Sequence, residues 1–395
     1  MIRDDLPEAP VPSAAHDPDR AAILARRQSL LAVALSGLTA GVGCAPCLKV
    51  GVPSEQHSSE GGGEATSGAP TTSTGESSGS TTGGTIGSTT GETTGAPIAG
   101  LRLNHLQALG THNSYHVSSG SSVKDLDYTH RPLAEQLDGG VRKFELDVHF
   151  GDPGAPIAVY HLELLDEMTT CATLGACLQA LRGWSDAHPG HHLLYVMIEV
   201  KTAFNQIMAD AWLADLEQQI LAVWPRERVL TPDDVQGDAP DLPTAIATRG
   251  WPSIDATRGK LLLVLHDGES WRARYVQAGT AGKLLFPDAF GDLTLPYAAV
   301  HSINDPIADA DEIAAIVDAG HLVRTRADAD NVEPFADDHT RAEAALASGA
   351  TFISTDYPAP KGELEYFVEI PGGDPSRCNP RVAPDDCTAQ QIEDL

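Results

Sequence analysis

Residues 143–149 read Lys-Phe-Glu-Leu-Asp-Val-His, and this regular alternation predicts a β-strand with two different faces. One face carries three apolar side chains, and the other carries Glu145, Asp147 and His149. In a barrel of parallel strands the apolar face packs on outer helices, and the charged face points into the mouth. An exposed antiparallel strand alternates in the same way, so the neighbouring segments must decide between the two.

Those segments favour the barrel, because short apolar runs alternate with helical patterns along the chain. Strands are predicted near 106–110, 141–150, 157–161, 193–200, 260–266, 298–302, 322–325 and 351–355, and helices near 203–223, 309–319 and 340–348. Such alternation is typical of a parallel sheet, and this number of units predicts a (β/α)₈ TIM-like barrel, in regular or distorted form, over residues 99–370. The strand count is seven or eight, and residues 281–296 are the region where it is least secure.

Polar residues end several of the predicted strands. His112 and Asn113 follow the first strand, Tyr160 and His161 close the third, and Glu199 and Lys201 share one face at the end of the fourth. A single histidine at a strand end is usually a structural residue. Together with the charged face of residues 143–149, these make four polar strand ends, which predict an active site in the barrel mouth.

Charge counting predicts a metal ion in this mouth. Glu145, Asp147 and Glu199 would repel one another without a cation, and each would raise the pKa of the others. Carboxylates together with the Asn113 amide form an oxygen ligand set, which suits calcium or magnesium. The number of ligands and the export signal described below favour one calcium ion. A zinc site is not indicated, because no cluster of cysteine and histidine ligands is present.

Two histidines, His112 and His161, are predicted to flank this metal as proton carriers. Histidine titrates near neutral pH and is a common proton carrier in enzymes. Proton transfer and a metal-stabilised phosphate together indicate a phosphodiesterase. Lys201 adds a positive charge for an anionic substrate.

The N-terminal quarter predicts export. Residues 1–44 contain Arg26-Arg27, an apolar run and small residues before Cys44, which resembles a twin-arginine or lipoprotein signal. Gly41 stands where such lipoprotein signals usually carry leucine, so plain secretion is the alternative to a lipid on Cys44. Residues 45–98 are dominated by Gly, Ser and Thr, which predicts a flexible tether.

Cysteine usage and net charge agree with an exported enzyme. Cys171 with Cys177, and Cys378 with Cys387 in the C-terminal tail at 371–395, are expected to form local disulfides. The net charge of −29 argues against a nucleic-acid partner, because phosphate backbones are bound by Lys and Arg.

Several of these segments together resemble the calcium-dependent bacterial phosphatidylinositol-specific phospholipase C family. The resemblance covers residues 104–358 in the order of the family and lies in seven segments: 110–115 (GTHNSY), 144–148 (FELDV), 160–161 (YH), 184–191 (WSDAHPGH), 198–201 (IEVK), 322–328 (LVRTRAD) and 353–358 (ISTDYP).

The resemblance implies a TIM-like barrel with Asn113, Glu145, Asp147 and Glu199 as calcium ligands. It implies that His112 and His161 are the catalytic histidines. The implied reaction is attack of the inositol 2-hydroxyl on phosphorus, with His112 at the phosphoryl oxygen and His161 at the leaving group or the developing charge. The product would be diacylglycerol and a cyclic inositol phosphate. A calcium-bound carboxylate is one candidate for the general base.

Other residue roles and two rival functions stay open at this stage. Arg324 and Arg326 are either substrate contacts or ion-pair partners of Asp328 or Asp356. A glycerophosphodiester phosphodiesterase would normally carry His-Arg-Gly where this chain has residues 112–114, and a non-catalytic surface-tethered barrel is a second alternative. The chain is expected to be a monomer that touches a membrane surface transiently; Trp271 and Phe286-Pro287 are rim candidates that are more often core.

Overall fold

The computed structural model describes residues 100–393, apart from 121–122, 268–269, 363 and 373–374. The predicted export signal with Cys44 and the predicted tether at 45–98 lie outside the described residues.

The described residues form eleven strands, which fall close to the predicted positions. They are β1 (Leu106–Thr111), β2 (Val141–His149), β3 (Ala158–Val159), β4 (Leu194–Val200), β5 (Val229–Leu230), β6 (Leu261–His266), β7 (Leu285–Pro287), β8 (Val300–Ser302), β9 (Leu322–Arg326), β10 (Phe352–Thr355) and β11 (Ser376–Cys378).

Helices follow most of these strands. They are α1 (Leu133–Asp138), α2 (Leu174–Ala187), α3 (Ala209–Val223), α4 (Pro232–Gln236), α5 (Leu242–Arg249), α6 (Ile254–Thr257), α7 (Ser270–Tyr275), α8 (Ala310–Asp318), α9 (Val332–Ala336), α10 (Thr340–Ala347) and α11 (Ala389–Ile392), with 3₁₀ turns at Leu103–His105, Lys124–Leu126 and Arg226–Arg228. None of the helices in the described part of the chain has both the length and the apolar character required to cross a bilayer.

Eight parallel strands of the described chain form a ring, which confirms the predicted barrel. The hydrogen-bonded order is β7-β6-β4-β2-β1-β10-β9-β8. A single parallel bridge between Asp288 and Val300 joins β7 to β8 and closes the ring. The segment 281–296, where the strand count was least secure, contributes β7. All eight strands point the same way, so their carboxyl ends meet at one mouth.

Strand β3 differs from the expectation of a parallel third strand. It pairs antiparallel with the end of β2, with Val159 opposite Val148. The reason is the short connection, because residues 150–157 turn back through Asp152, Pro153 and Gly154, whereas a parallel return needs a crossover of about a dozen residues. His161 therefore reaches the site from a loop beside β2.

Two apolar clusters fill the space on either side of the ring. Phe144, Leu146 and Val148 of β2 belong to the outer cluster, with Leu178 and Leu181 of α2 among its members. This confirms the face assignment made from the alternation. The second cluster lies inside the ring and below it; it includes Tyr195, Met197, Val264, Phe286 and Phe352.

The last described residues pack on the end of the barrel opposite to the mouth. Strand β11 pairs antiparallel with the start of β1. Glu393 accepts a hydrogen bond of 2.7 Å from the buried Arg142 guanidinium, and Ile392 is fully buried. Cys378 and Cys387 form a disulfide within this segment.

Helix α2 anchors the loop that precedes it. The Thr173 hydroxyl accepts from the Ala176 backbone N–H and caps the helix. A disulfide joins Cys171 to Cys177, with 5.1 Å between their Cα atoms. The loop that carries His161 is thus covalently attached to the first turn of α2.

Five buried histidines predict that the fold is sensitive to acid. Burial lowers the pKa of His130, His191, His192 and His321 to about 4 and that of His301 to about 3. The unfolded chain binds these protons near pH 6.5, so the free energy of unfolding falls as the pH drops from about 6.5 towards 4, by up to about 1.4 kcal/mol per pH unit and histidine. Urea unfolding at pH 7 and pH 5 measures this.

The matched variant is His321→Gln, because the His321 ring accepts a hydrogen bond of 2.8 Å from His301 and a glutamine oxygen can replace that acceptor. A flatter pH dependence in the variant is expected. Equal stability of the unmodified protein at pH 7 and pH 5 would contradict the assignment of neutral buried histidines.

Candidate active site

Three neighbouring strands bring the predicted ligand and proton-carrier residues to the mouth. His112 and Asn113 follow β1, Glu145 and Asp147 lie on β2, and Glu199 lies on β4. Strands β2 and β4 are paired so that Asp147 stands beside Glu199. The barrel therefore collects residues that are far apart in the sequence.

The three carboxylates form one cluster, in which Glu145 and Asp147 are buried and Glu199 is partly exposed. Glu145, Asp147 and Glu199 each offer an oxygen, and these oxygens lie within 4.8 Å of one another. Burial, together with the charges of Glu199 and Glu145, raises the pKa of the Asp147 carboxyl above its usual value, although Lys201 opposes this. Oδ1 of Asp147 is buried and has no hydrogen-bond partner. Such a cluster is stabilised by added positive charge.

Asn113 adds a fourth oxygen next to this cluster. Its backbone has a φ of 42°, a left-handed conformation that asparagine tolerates better than most residues. Its side-chain amide donates a 3.0 Å hydrogen bond to the Tyr128 hydroxyl, while its Oδ1 is buried without a partner. Buried polar atoms are almost always paired, so this oxygen indicates a ligand.

Lys201 supplies a positive charge within the carboxylate cluster. Its ammonium lies 3.0 Å from Asp147 Oδ2 and 2.5 Å from Glu199 Oε1. These two carboxylates raise the pKa of Lys201 in spite of its burial. The structure thus places this predicted substrate contact against two of the predicted metal ligands.

Together these atoms fit a hard divalent cation. The ligand set contains oxygen only, from three carboxylates and one amide, and two of its atoms have no other partner. Calcium prefers such a set, whereas zinc favours nitrogen and sulfur.

Glu145 is held by two cations that lie deeper in the barrel. The Lys143 ammonium donates to its Oε2 at 2.7 Å, and the Arg324 guanidinium donates to the same oxygen at 2.9 Å. Gly110 makes this possible, because a Cβ at that position would lie 2.8 Å from Lys143 Cβ. Burial lowers the pKa of Lys143 to about 7.

His112 is paired with a carboxylate from the opposite end of the sequence. Its Nδ1 lies 2.9 Å from Asp356 Oδ1, and its Nε2 lies 3.8 Å from Glu145 Oε1. Asp356 follows β10, the neighbour of β1 in the ring. Burial, and then the Arg326 charge, lower the pKa of His112, while Asp356 raises it. Because the carboxylate is an acceptor, Nδ1 carries a proton and Nε2 is the atom available for chemistry.

His161, on the loop that follows β3, has a similar arrangement. Its Nδ1 lies 2.9 Å from Asp166 Oδ2, and the same oxygen lies 2.8 Å from Nε2 of the buried His116. Burial lowers the pKa of His161 to about 4, although Asp166 opposes this. Nε2 is again the ring nitrogen available for proton transfer.

A comparison with protein-family models then decides the family. The model that matches is described as phosphoinositide phospholipase C, Ca²⁺-dependent, and it matches residues 101–156 and 152–380. The chain belongs to this family. The matched residues include all the strand ends described above.

Solved structures of calcium-dependent phosphoinositol-specific phospholipases C share this fold. The enzyme from Pseudomonas sp. in its apo form, crystal form 2, is 19% identical, with a TM-score of 0.53, and the match covers 70% of this chain and 95% of that chain. The structure of the Pseudomonas enzyme described as a myoinositol complex is 19% identical, with a TM-score of 0.51 and coverage of 65% and 90%. A comparison with curated protein sequences finds no match.

In this phospholipase C family member, the two predicted arginine contacts are engaged in buried ion pairs. Arg324 donates to Glu145 and to Asn304, and Arg326 Nη2 lies 3.4 Å from Asp356 Oδ2. This geometry corresponds to the ion-pair alternative, with Asp356 as the partner of Arg326.

Several further residues around the site of this family member were not predicted from the sequence. They are Lys143, Asp166, His116, His266 and Asp288, together with Asp356 as the partner of His112. His266 ends β6, and its Nδ1 lies 2.8 Å from Asp288 Oδ2. Lys143 lies on the same face of β2 as Glu145 and Asp147, and His266 is the last residue of β6. The strand alternation and the polar strand ends that pointed to the other residues therefore applied to these two as well. His116 lies on a loop and carried no such signal.

Proposed function

We propose that this phospholipase C cleaves phosphatidylinositol, releasing diacylglycerol and a cyclic inositol phosphate that water can open. The observation that carries the proposal is that two carboxylate-paired histidines, His112 and His161, accompany an oxygen cluster suited to calcium. That combination provides proton transfer and phosphate charge compensation in one mouth.

One calcium ion would be held by Asn113, Glu145, Asp147 and Glu199. When bound, it supplies positive charge beside the phosphate oxygens. Magnesium suits this ligand set less than calcium does, because Mg²⁺ keeps more of its coordinated water and requires a nearly regular octahedral coordination geometry. Lys201 would stay beside Asp147 and Glu199 and contribute to phosphate binding. Arg324 and Arg326 would contribute to phosphate binding indirectly, because they hold Glu145 and Asp356.

The two histidines would divide the proton transfers. The inositol 2-hydroxyl attacks phosphorus and loses its proton, while the bond from phosphorus to the diacylglycerol oxygen breaks and that oxygen gains a proton. His112, when it is protonated on both ring nitrogens, would donate from Nε2 to the phosphoryl oxygen. His161, fixed by Asp166 and protonated on Nε2 before the step, would transfer that proton to the leaving oxygen, while the proton of the 2-hydroxyl passes to the base. Glu145 Oε1, which lies 3.8 Å from His112 Nε2, is a candidate base for the hydroxyl.

A transient membrane contact is supported by exposed apolar side chains around the mouth. Among the described residues, eight of the nine exposed large apolar side chains lie in the segments that follow β3, β4, β8 and β9, the last two of them on the short helix α9: Leu164, Leu165, Met168, Phe204, Ile207, Ile307, Val332 and Phe335. Exposed apolar groups gathered on one surface mark an interaction site. Trp271 and Phe286-Pro287, in contrast, are buried.

Export is proposed from the N-terminal residues and agrees with the two disulfides, which persist in oxidising compartments. The protein would act as a cell-envelope lipoprotein anchored through Cys44 or as a secreted enzyme. The mass of the mature N-terminus distinguishes the two.

The decisive experiment is incubation of the purified protein with phosphatidylinositol, with calcium and with excess chelator. We expect diacylglycerol and cyclic inositol phosphate with calcium, and a loss of activity with the chelator that added calcium reverses. Activity that survives chelation would remove the metal assignment. Release of glycerol phosphate or choline from other diesters, without cleavage of phosphatidylinositol, would instead favour a glycerophosphodiester phosphodiesterase.

A further inference from the structure

Folding brings together a second group of potential metal ligands, in addition to the carboxylate cluster. His116 lies on the loop after β1, and His161 and Asp166 lie on the loop after β3. One ligand atom from each residue, either an imidazole nitrogen or a carboxylate oxygen, lies within 4.8 Å of the other two. His116 and Asp166 are 50 residues apart in the sequence, so no local spacing indicates this group. We call it the His-His-Asp group.

Asp166 stands at the centre of the His-His-Asp group. Its Oδ2 lies 2.8 Å from Nε2 of His116 and 2.9 Å from Nδ1 of His161. Its Oδ1 is buried and has no hydrogen-bond partner among the described residues. Buried polar atoms are almost always paired, so this free carboxylate oxygen indicates a ligand that the neighbouring side chains do not supply.

The hydrogen bonds of His116 leave Nε2 as its coordinating atom. Nδ1 lies 3.0 Å from the Tyr128 backbone oxygen, and a carbonyl oxygen only accepts, so Nδ1 carries a proton. Nε2 faces Asp166 Oδ2, and two lone pairs at 2.8 Å need a positive centre between them, either a proton or a metal ion. A histidine that binds zinc through one nitrogen usually donates its other N–H to a backbone carbonyl or a carboxylate. The fully buried His116 already has this arrangement.

The donor atoms of the His-His-Asp group favour zinc over calcium. Two imidazole nitrogens and one carboxylate suit a borderline-soft cation, whereas calcium takes oxygen ligands. Neighbouring ligand atoms in a tetrahedral zinc site are about 3.4 Å apart, because each bond is about 2.1 Å long. The separations of 2.8 and 2.9 Å therefore need to widen by about half an ångström. The His161 side chain is 15% exposed, so it has room to shift and opens the group to solvent.

We propose that His116, His161 and Asp166 form an inhibitory zinc site. Zinc binds Nε2 of His116, Nδ1 of His161 and the Asp166 carboxylate, with a water in the fourth position. The proton between His116 and Asp166 passes to solvent, and the single proton of the His161 ring moves from Nδ1 to Nε2.

Zinc at this position removes His161 from acid catalysis. The zinc-bound ring holds one proton only, and losing it would leave an imidazolate anion, so the ring no longer protonates the leaving oxygen. The inhibition therefore rests on the proposed function, whereas zinc binding does not.

Zinc binding is measured by competition with a chromophoric chelator, using the whole protein at saturating calcium. We expect His116→Gln to weaken zinc binding by at least about tenfold, because even a change behind a metal ligand costs about 10- to 100-fold. The glutamine amide keeps a donor for Asp166 but offers no imidazole nitrogen. His339→Gln is the matched control, because His339 is also paired with an aspartate, 3.4 Å from Asp337, but lies nearer the surface. Equal zinc affinity of the two variants overturns the site.

Two other parts of the chain contain possible zinc ligands. Cys44 and Cys47 are present in both variants, so their contribution to zinc uptake cancels in the comparison. The carboxylate cluster is tested with Asp147→Asn, which should bind zinc as tightly as the unmodified protein. A loss of zinc binding in that variant would place the ion in the carboxylate cluster and would overturn the proposal.

Nitrogen NMR of the histidine rings gives a readout that needs no variant protein. One equivalent of zinc, added at saturating calcium, should shift the signals of His116 Nε2 and His161 Nδ1. The ring of His188, which stacks on Trp184, should keep its signals. Unshifted signals of His116 and His161 overturn the site, even if His116→Gln fails to fold.

Turnover of phosphatidylinositol tests the inhibition. Saturating zinc should lower kcat by at least about tenfold, and excess calcium should not restore it, because the two ions bind different residues. Full turnover at a zinc concentration that shifts both rings overturns the inhibition. If the zinc-free protein cleaves no phosphatidylinositol, the proposed function fails, while the ring spectra and the chelator competition still decide the zinc site.

Discussion

Replacement of His112 by glutamine is expected to lower turnover of phosphatidylinositol by about 10³-fold, within the range of about 10² to 10⁴ that proton-transfer groups contribute. The imidazole is paired with Asp356 through Nδ1 and presents Nε2 beside Glu145. Glutamine keeps hydrogen-bonding capacity but cannot carry a proton at neutral pH. Initial rates at saturating calcium measure the effect, and KM should change much less than kcat.

The control for this substitution is His188→Gln. His188 lies at the end of helix α2 and stacks on Trp184, so it contributes a histidine outside the mouth. It should retain normal turnover, and both variants should unfold at similar urea concentrations. Turnover of His112→Gln within threefold of the unmodified protein would remove His112 from the chemistry.

Asp147→Asn is expected to abolish the response to calcium without unfolding the barrel. Asp147 is fully buried in the carboxylate cluster, and burial together with the charges of Glu199 and Glu145 raises the pKa of its carboxyl, so the ionised form is disfavoured there. Without calcium the variant should therefore be at least as stable as the unmodified protein at pH 7. Turnover should fall by orders of magnitude, because the amide gives one neutral oxygen where calcium favours a carboxylate.

Thermal unfolding provides a readout of this prediction that does not depend on activity. A ligand present at about 100 times its Kd stabilises the folded state by about 2.7 kcal/mol, which corresponds to a rise in Tm of about 5 °C for a domain of this size. The unmodified protein should show that rise with calcium, and Asp147→Asn should not. A normal calcium-dependent rise in the variant would show that Asp147 is not a ligand.

The strand alternation was sufficient to predict which side chains face the mouth. Side chains of successive strand residues point to opposite faces, so the positions of Phe144, Leu146 and Val148 in the sequence already placed Glu145 and Asp147 inside the barrel. The same reasoning applied to Lys143 and His266, which were not singled out. Their roles were missed because a lysine near carboxylates, or one more histidine at a strand end, was no different in sequence from a structural residue.

The pairing of His112 with Asp356 could not be predicted in the same way. His112 and Asp356 are 244 residues apart, and they meet only because β10 returns to pair with β1. Arg324 and Glu145 are 179 residues apart and meet because their side chains both point into the same ring. A local pattern contains no information about such contacts, since they depend on how the ring closes.

The sequence by itself determined the class of fold, the inward set of carboxylates and the two histidines, because side-chain alternation and the ends of parallel strands are local properties. The tertiary structure decided the rest. It showed that the ring closes through β7, that β3 runs antiparallel, that Lys201 and the two arginines are bound by carboxylates, and that Asp166 and Asp356 hold the histidines. Each of these depends on segments distant in the chain being packed together, where burial and charge set the partners.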